Sequence, residues 1–251
     1  MESTGCRPWS QPGPTVKTPE ADAEASRKNI RKIGSTFAPM RVVAGTARGR
    51  RIVAPPGLDV RPTLDRVRQA IFNALDARGV VDGARVIDVF AGSGALGIEA
   101  LSRGAAHVTF VENDRKSLAC IKENLEYLGF SDQATIVRSD VVAWSAWRIP
   151  TADLILVDPP YTFAGWTPLL ERLLTSLTPV EGSEHQGVGV AVLETARPLA
   201  LPSTWEIVRE QKYGGTVVTF AVPAVDDSSG PTGSDASNQD LAHEPETSDS
   251  D

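Results

Sequence analysis

An acid, two prolines and an aromatic residue directly follow an apolar run: Asp158-Pro159-Pro160-Tyr161 comes after residues 153–157. The exocyclic amine of a base is a poor nucleophile, because its lone pair is delocalised into the ring. The carboxylate of Asp158 and the carbonyl of Pro159 can accept hydrogen bonds from that amine and return electron density to its nitrogen. Tyr161 offers a flat face on which a flipped-out base can stack. The segment predicts group transfer to a planar amine; the plain alternative is a strand-ending turn that buries Tyr161.

Three glycines with the spacing of a nucleotide-binding loop follow another apolar run: Gly92, Gly94 and Gly97 form G-x-G-x-x-G. Glycines there permit a tight turn and a close approach of the backbone to a ligand. Glu112 ends the next apolar run, where a carboxylate can accept hydrogen bonds from ribose hydroxyls. Both NAD and S-adenosylmethionine (AdoMet) contain such a ribose, so the loop alone leaves both cofactors open.

One aspartate helps to separate these cofactors, and a second could contact the adenine that both contain. Asp88 lies just before the glycine turn, where its charge would repel a pyrophosphate but suits the ammonium group of a methionine moiety. Its structural alternative is the cap of a local turn. Asp140 follows a later apolar run and could bond an adenine amino group, although a helix N-cap explains it equally well. Asp88 thus favours AdoMet.

The apolar runs that carry these residues alternate with helical patterns. Seven strands are predicted, at 85–89, 107–111, 134–138, 153–157, 188–194, 205–209 and 216–222. Helices are predicted at 63–77, 95–103, 114–128 and 168–177. Continuous apolar strands that alternate with helices indicate an α/β fold with a parallel sheet covered on both faces. Residues 41–44 and 50–54 flank a turn and predict an N-terminal β-hairpin.

Charge divides the chain into one central domain and two tails. The net charge is −7, yet residues 226–251 hold eight acids and no lysine or arginine, whereas residues 41–68 hold seven arginines and two aspartates. Residues 1–39 and 224–251 lack apolar periodicity, so we expect disordered extensions around a domain of residues 40–223, with a basic hairpin region at 40–62. The arginine cluster can attract an anionic polymer such as nucleic acid, or it is a solvated surface.

Several classes of protein are excluded by composition. No apolar run approaches the ~20 residues of a membrane helix, and the first residues contain no apolar signal region. Only two cysteines are present, Cys6 and Cys120, which excludes a disulfide scaffold and a cysteine-rich metal site. We therefore expect a cytoplasmic protein that uses no metal and contacts no membrane.

Longer segments are more specific than either motif alone, and they resemble the RsmD family. That family consists of class I AdoMet-dependent methyltransferases with a DPPY-type motif, which methylate guanine N2 in bacterial 16S ribosomal RNA. The similarity runs from Met40 to about Val222. It rests on MRVVAGTARGRRI, RPTLDRVRQAIFNAL, VIDVFAGSGALGIEALSRGA, the strand-end Glu112, LVDPPY and YGGT.

The resemblance implies a Rossmann-like class I methyltransferase fold, AdoMet as cofactor and 16S ribosomal RNA in an assembling small subunit as partner of a monomer. The glycine loop and Asp88 would hold the methionine end of AdoMet, Glu112 the ribose and Asp140 the adenine. Asp158, Pro159 and Tyr161 would receive the guanine amine. RNA phosphates would contact five arginines in or soon after the basic hairpin region, which are Arg48, Arg50, Arg51, Arg61 and Arg66.

Arg68 is a separate case, because a helical wheel places it on the apolar face of helix 63–77. A buried guanidinium needs a partner. Either it forms a structural ion pair, or it points into the cofactor or base pocket.

The residues leave other functions open. A DNA adenine-N6 or protein glutamine-N5 methyltransferase would use the same amine chemistry, but the chain has no obvious target-recognition domain. An NAD(P)-binding oxidoreductase would use the glycine loop and leave the segment 158–161 unexplained. A silent RNA-binding or assembly protein would not need Asp158 and Tyr161.

Overall fold

A computed structural model describes residues 40–55, 62–147, 149–177 and 189–224 of the chain. The two predicted tails lie outside these residues, apart from Ala224, and so does Arg61. The N–H of Ala224 donates to the carbonyl of Thr204 at 2.8 Å. At the other end, the Met40 side chain is buried in the apolar core. The residues at both ends of the described chain therefore make contacts within the domain.

The described residues contain seven strands and five α-helices. The strands are β1 (Arg85–Val89), β2 (His107–Glu112), β3 (Ala134–Arg138), β4 (Leu154–Val157), β5 (Val190–Thr195), β6 (Trp205–Tyr213) and β7 (Thr216–Pro223). The helices are α1 (Pro62–Asp76), α2 (Ala95–Ser102), α3 (Arg115–Leu128), α4 (Val141–Ser145) and α5 (Trp166–Leu174), with one 3-10 turn at Ser131–Gln133. All seven predicted strands are confirmed, although β6 is four residues longer than predicted.

The strands form one mixed sheet in the order β3-β2-β1-β4-β5-β7-β6. Strands β1 to β5 pair in parallel, whereas β7 runs antiparallel to both β5 and β6. The order reverses between β1 and β4, and open α/β sheets bind ligands beyond the carboxyl ends of their strands at such a point. The predicted seven-stranded, mostly parallel sheet is confirmed.

Helices cover both faces of this sheet, as predicted. Helices α1, α2 and α3 pack on one face, with Ile71, Ile98 and Ile121 buried in a shared core. Helices α4 and α5 pack on the other face, through Val141 and Leu169. Side chains along each strand point alternately to the two cores, so both faces of the parallel strands are apolar.

The predicted N-terminal hairpin folds back on itself but forms only one bridge, between Arg41 and Arg51. The reason is that α2 takes the hydrogen bonds which longer strands would use. The Glu99 carboxylate accepts from the N–H groups of Val43 and Ala44 at 2.8 and 2.9 Å. Gly45 has φ +79°, and a Cβ there would stand 1.7 Å from the Ser102 carbonyl oxygen. Docking against α2 therefore replaces strand pairing.

Candidate active site

Four acidic residues end or follow neighbouring strands at the carboxyl edge of the sheet. Asp88 lies in β1, Glu112 ends β2, Asp158 follows β4, and Glu194 lies near the end of β5. Parallel strands bring their carboxyl ends to one edge, so these side chains surround the point at which the strand order reverses. Three of the four are predicted by their positions in the sequence, Asp88, Glu112 and Asp158. Glu194 was missed, although it shows the same signal, an acid at the end of an apolar strand.

Glu112 holds the glycine loop through its own carboxylate. Its Oε2 accepts the N–H of Gly92 at 2.8 Å, and its Oε1 accepts from Asn113 and Asp114 at 2.7 and 2.9 Å. Gly92 has φ +56°, and a Cβ there would meet only the Phe90 carbonyl oxygen, at 3.9 Å. A carboxylate has about four lone-pair sites, so Glu112 can still accept a bond from a ligand hydroxyl.

Gly97 lets α2 pack closely against β2, because it has no side chain. A Cβ at this position would stand 2.3 Å from Cε1 of Phe110 and 2.8 Å from Cγ1 of Val108, both in β2. Its N–H donates to Oδ2 of Asp88 at 2.9 Å. Gly94, with φ +78°, lies just before α2, where a Cβ would meet Ile121 at 3.1 Å. The second and third glycines thus bring α2 close to the sheet, and Gly92 lies at the open part of the loop.

Phe90 is strained, and sequence analysis did not single it out. It has φ +60°, and within the described ranges it is the only residue other than glycine with a positive φ. Its ring lies 5.0 Å from that of Phe163 in an edge-to-face contact, and Phe163 contacts Trp166 at 5.5 Å. Strained backbone conformations concentrate at functional sites. Here the strained residue links the glycine loop to the segment after Tyr161.

Asp140 forms the N-cap of α4, the alternative that sequence analysis kept open. Its Oδ1 accepts the N–H of Ala143 at 2.9 Å. The side chain is exposed, and no described residue donates to its other oxygen. The cap leaves one carboxylate oxygen for a ligand, so an adenine contact stays a prediction.

The segment 158–161 presents its aromatic ring to solvent. Tyr161 is 71% exposed, and its hydroxyl lies 3.4 Å from Oγ1 of Thr216. The interpretation of this segment as a turn that buries Tyr161 is therefore wrong. Pro159 is buried, whereas Asp158 is accessible from the open side. Protein surrounds the Asp158 carboxyl group on its other sides, and this desolvation raises its pKa to about 6.

The carboxyl groups at this edge disfavour one another's ionised forms. Burial raises the pKa of Asp88 well above its ordinary value, and the charges of Asp158 and Glu112 raise it further. Burial likewise raises the pKa of Glu194, together with the charges of Asp158 and Asp88, while Arg68 opposes the rise. Such a set of acids attracts a positively charged group.

The predicted RNA-binding arginines differ in their surroundings. Arg48, Arg51 and Arg66 are exposed. Arg50 donates through Nη1 to the Leu128 carbonyl at 3.2 Å and through Nη2 to the Tyr127 carbonyl, and its guanidinium lies 4.5 Å from the centroid of the Tyr127 ring. A cation at the end of a helix satisfies carbonyls that lack intrahelical partners. Arg50 is thus engaged by α3, and the other three are accessible.

Arg68 forms ion pairs beneath the site. It is 4% exposed, and it contacts Asp65 at 2.8 Å and Glu99 at 3.6 Å. Its Nη2 also donates to the Arg41 carbonyl at 2.5 Å. The structural ion pair is observed. The positive charge of Arg68 also acts on Glu194, where it opposes the rise in the pKa of the carboxyl group.

Comparison with known proteins agrees with this arrangement. The family model described as "Conserved hypothetical protein 95" matches residues 40–222. The chain is 35% identical over 176 residues to "Ribosomal RNA small subunit methyltransferase D" of Escherichia coli strain K12, covering 70% of this chain and 85% of that protein. It is 32% identical to the Haemophilus influenzae protein of the same name, with 70% and 89% covered.

Solved structures show the same likeness. The Escherichia coli protein yhhF matches with a TM-score of 0.63 at 28% identity, and the match covers 74% of this chain and 98% of that one. A methyltransferase complexed with SAH shares the fold, with a TM-score of 0.51 at 16% identity, over 65% of this chain and 50% of that one. The motifs, the sheet order and these matches agree, and the chain belongs to the family described as conserved hypothetical protein 95, the RsmD methyltransferase family.

Proposed function

We propose that this protein transfers the methyl group of AdoMet to the exocyclic N2 amine of a guanine in 16S ribosomal RNA. The observation that carries the proposal is the strand end of β4, where Asp158 and an exposed Tyr161 stand beside the glycine loop of a methyltransferase fold. The relatives named as small-subunit ribosomal RNA methyltransferases support the RNA substrate. The choice of guanine N2 rests on the resemblance to the family.

The residues at the glycine loop fit AdoMet. The missing side chain of Gly92 leaves open space above the loop, and Glu112 can accept a bond from a ribose hydroxyl. The mutually repelling acids Asp88 and Asp158 suit the cationic methionine end. Bound AdoMet supplies an electrophilic methyl group on a positively charged sulfur.

The remaining chemistry belongs to the protein's own side chains. In the transfer, the N2–carbon bond forms as the sulfur–carbon bond breaks, and the amine loses one proton. The ionised carboxylate of Asp158 and the Pro159 carbonyl accept hydrogen bonds from the amine and hold it toward the methyl group. Tyr161 stacks on the base and keeps it out of the RNA helix. Asp158 is the acceptor nearest to the departing proton in this arrangement.

The exposed arginines support an RNA partner. Arg48, Arg51 and Arg66 present positive charge to solvent on the N-terminal segment and α1. Contacts of this kind add affinity and orientation but do not identify a base. We extend the proposal to a monomer that acts in the cytoplasm on an assembling small subunit. No described helix is long and apolar enough to cross a membrane.

Mass mapping of modified nucleotides tests the proposal. Ribosomal RNA from cells with and without the gene is digested and compared, and the purified protein is then added to RNA from the deficient cells. We expect one N2-methylguanine in 16S RNA to disappear and to be restored by protein with AdoMet. An unchanged RNA together with a lost N6-methyladenine in DNA would instead assign a DNA methyltransferase.

A further inference from the structure

Glu194 lies beside Asp158 on the neighbouring strand. Strands β4 and β5 pair in parallel with Val157 opposite Leu193, so the next residues along each strand, Asp158 and Glu194, are also neighbours. Side-chain alternation places both on the face of Leu156 and Val192, which belong to the core beneath α1 and α2. The electrostatic interaction between the two carboxyl groups is consistent with this closeness.

The side chain of Glu194 is largely enclosed by protein. Glu194 is 8% exposed, and among the residues that the structure describes no donor makes a hydrogen bond to it. Enclosure of a carboxylate carries a desolvation cost, which raises the pKa of Glu194. Arg68 does not offset this cost by a direct ion pair with Glu194. Its guanidinium instead contacts Asp65, Glu99 and the Arg41 carbonyl. Glu194 therefore has acceptor capacity that the described chain does not use.

We propose that Glu194 is a specificity-determining residue that accepts a hydrogen bond from the N1–H of the target guanine while Asp158 engages its N2 amine. This inference rests on the proposed function. Guanine carries N1–H and N2–H as adjacent donors, whereas adenine and 2-aminopurine present N1 as an acceptor. Neighbouring strands lie about 4.8 Å apart, a spacing that lets a longer and a shorter acid reach adjacent donors on one base edge. In its ionised form Glu194 has no proton to donate, so at N1 it selects guanine and rejects a base whose N1 is a bare lone pair.

The test compares bases that differ at N1. Once the methylated guanine is mapped, the RNA substrate is prepared by ligation with either guanine or 2-aminopurine at that position. Both bases carry the 2-amino group, but 2-aminopurine lacks the N1–H and the 6-oxo group of guanine, so the change of preference in the variant isolates the contact at N1. Single-turnover rates of methyl transfer are measured for the wild type and for Glu194→Gln. We expect the wild type to favour guanine, and the variant to lower that preference at least about tenfold, because the Gln amide can donate to a bare N1.

Glu99→Gln is the matched control. Glu99 is also buried and pairs with Arg68 and Arg103, but it lies in α2 and binds the N-terminal segment. Its replacement should lower the melting temperature and leave the ratio of the two rates unchanged. AdoMet affinity of Glu194→Gln should stay within severalfold of the wild type, since Glu194 is placed at the base and not at the cofactor.

The outcomes are distinguishable. An unchanged rate ratio in a folded, AdoMet-binding Glu194→Gln variant would show that Glu194 is only a structural neighbour of Arg68. Equal wild-type rates on guanine and 2-aminopurine would overturn the proposal without any variant, because N1–H would then not be recognised. A wild type that transfers no methyl group to guanine N2 overturns the proposed function itself, and this is visible before any variant is made.

Discussion

The backbone N–H of Gly92 donates to Oε2 of Glu112 at 2.8 Å, across the edge of the sheet between β1 and β2. The acid predicted to bind a ribose therefore also holds the first glycine of the loop in place. Its other oxygen accepts from the backbone of Asn113 and Asp114. Both oxygens are already used by backbone donors before any ligand binds, so cofactor affinity and loop geometry depend on one carboxylate.

Glu112→Gln should weaken AdoMet binding about tenfold and lower the melting temperature. The amide nitrogen of Gln cannot accept, so either the Gly92 N–H or the N–H groups after β2 lose their acceptor. Calorimetric titration with AdoMet and thermal unfolding measure the two effects. Glu126→Gln, on the exposed surface of α3, is the control that should change neither. Wild-type affinity in Glu112→Gln would separate the loop contact from cofactor binding.

Asp158→Ala should reduce the single-turnover rate of methyl transfer ~10²–10³-fold, by analogy with the loss of one preorganised group that stabilises a transition state. AdoMet affinity should stay within severalfold, because Gly92, Glu112 and Asp140 are placed to hold the cofactor. The exposed Asp132→Ala is the control. Near-normal turnover by Asp158→Ala would remove Asp158 from the chemistry.

The pH dependence of the reaction should show an acid limb near pH 6. The pKa of Asp158 is about 6, raised by desolvation, and only the ionised carboxylate accepts from the amine on both oxygens. Activity at low AdoMet concentration should therefore fall as pH drops through 6. Saturating AdoMet should move the limb to lower pH, because its positive charge favours the ionised acid. A flat rate between pH 5 and 8 at low AdoMet would contradict this assignment.

Asp88→Asn should raise the melting temperature while weakening AdoMet binding at least about tenfold. The pKa of Asp88 is raised in the folded protein, so the folded state holds the proton more tightly and the free energy of unfolding declines as pH rises above the ordinary carboxyl value. Asn removes this decline and its Oδ1 can still accept the Gly97 N–H. The stability gain should grow with pH. Unchanged AdoMet affinity would leave Asp88 as a turn cap only.

The exposed arginines should determine how RNA affinity depends on salt, whereas Arg50 should contribute to the stability of the fold. The double change Arg48→Ala with Arg51→Ala should flatten the slope of log affinity for RNA against log salt by roughly one to two units, if each contacts one phosphate. Arg50→Ala should lower the melting temperature, because the Leu128 and Tyr127 carbonyls lose their donor. Filter binding at several salt concentrations and thermal unfolding measure the effects. An unchanged slope in the double variant would place RNA elsewhere.

Local patterns in the sequence determined the strands, most helices and three of the four acids at the sheet edge. Apolar alternation and the residue at each strand end are properties of a few consecutive residues. Asp88, Glu112 and Asp158 could therefore be predicted at strand ends, and so could Gly129 at the end of α3, which has φ +81°.

Only the tertiary structure decided which of these residues meet. Strand order is set by long-range pairing, so periodicity cannot show that β5 lies beside β4 and brings Glu194 to Asp158. The guanidinium of Arg50 finds its carbonyl partners in α3, 77 and 78 positions further along the chain, a helix-end contact that no local pattern indicates. The hairpin shortened for the same reason, because Glu99 competes for its N–H groups. Contacts between residues that are distant along the chain depend on how the whole domain packs. A local sequence pattern contains no information about that packing.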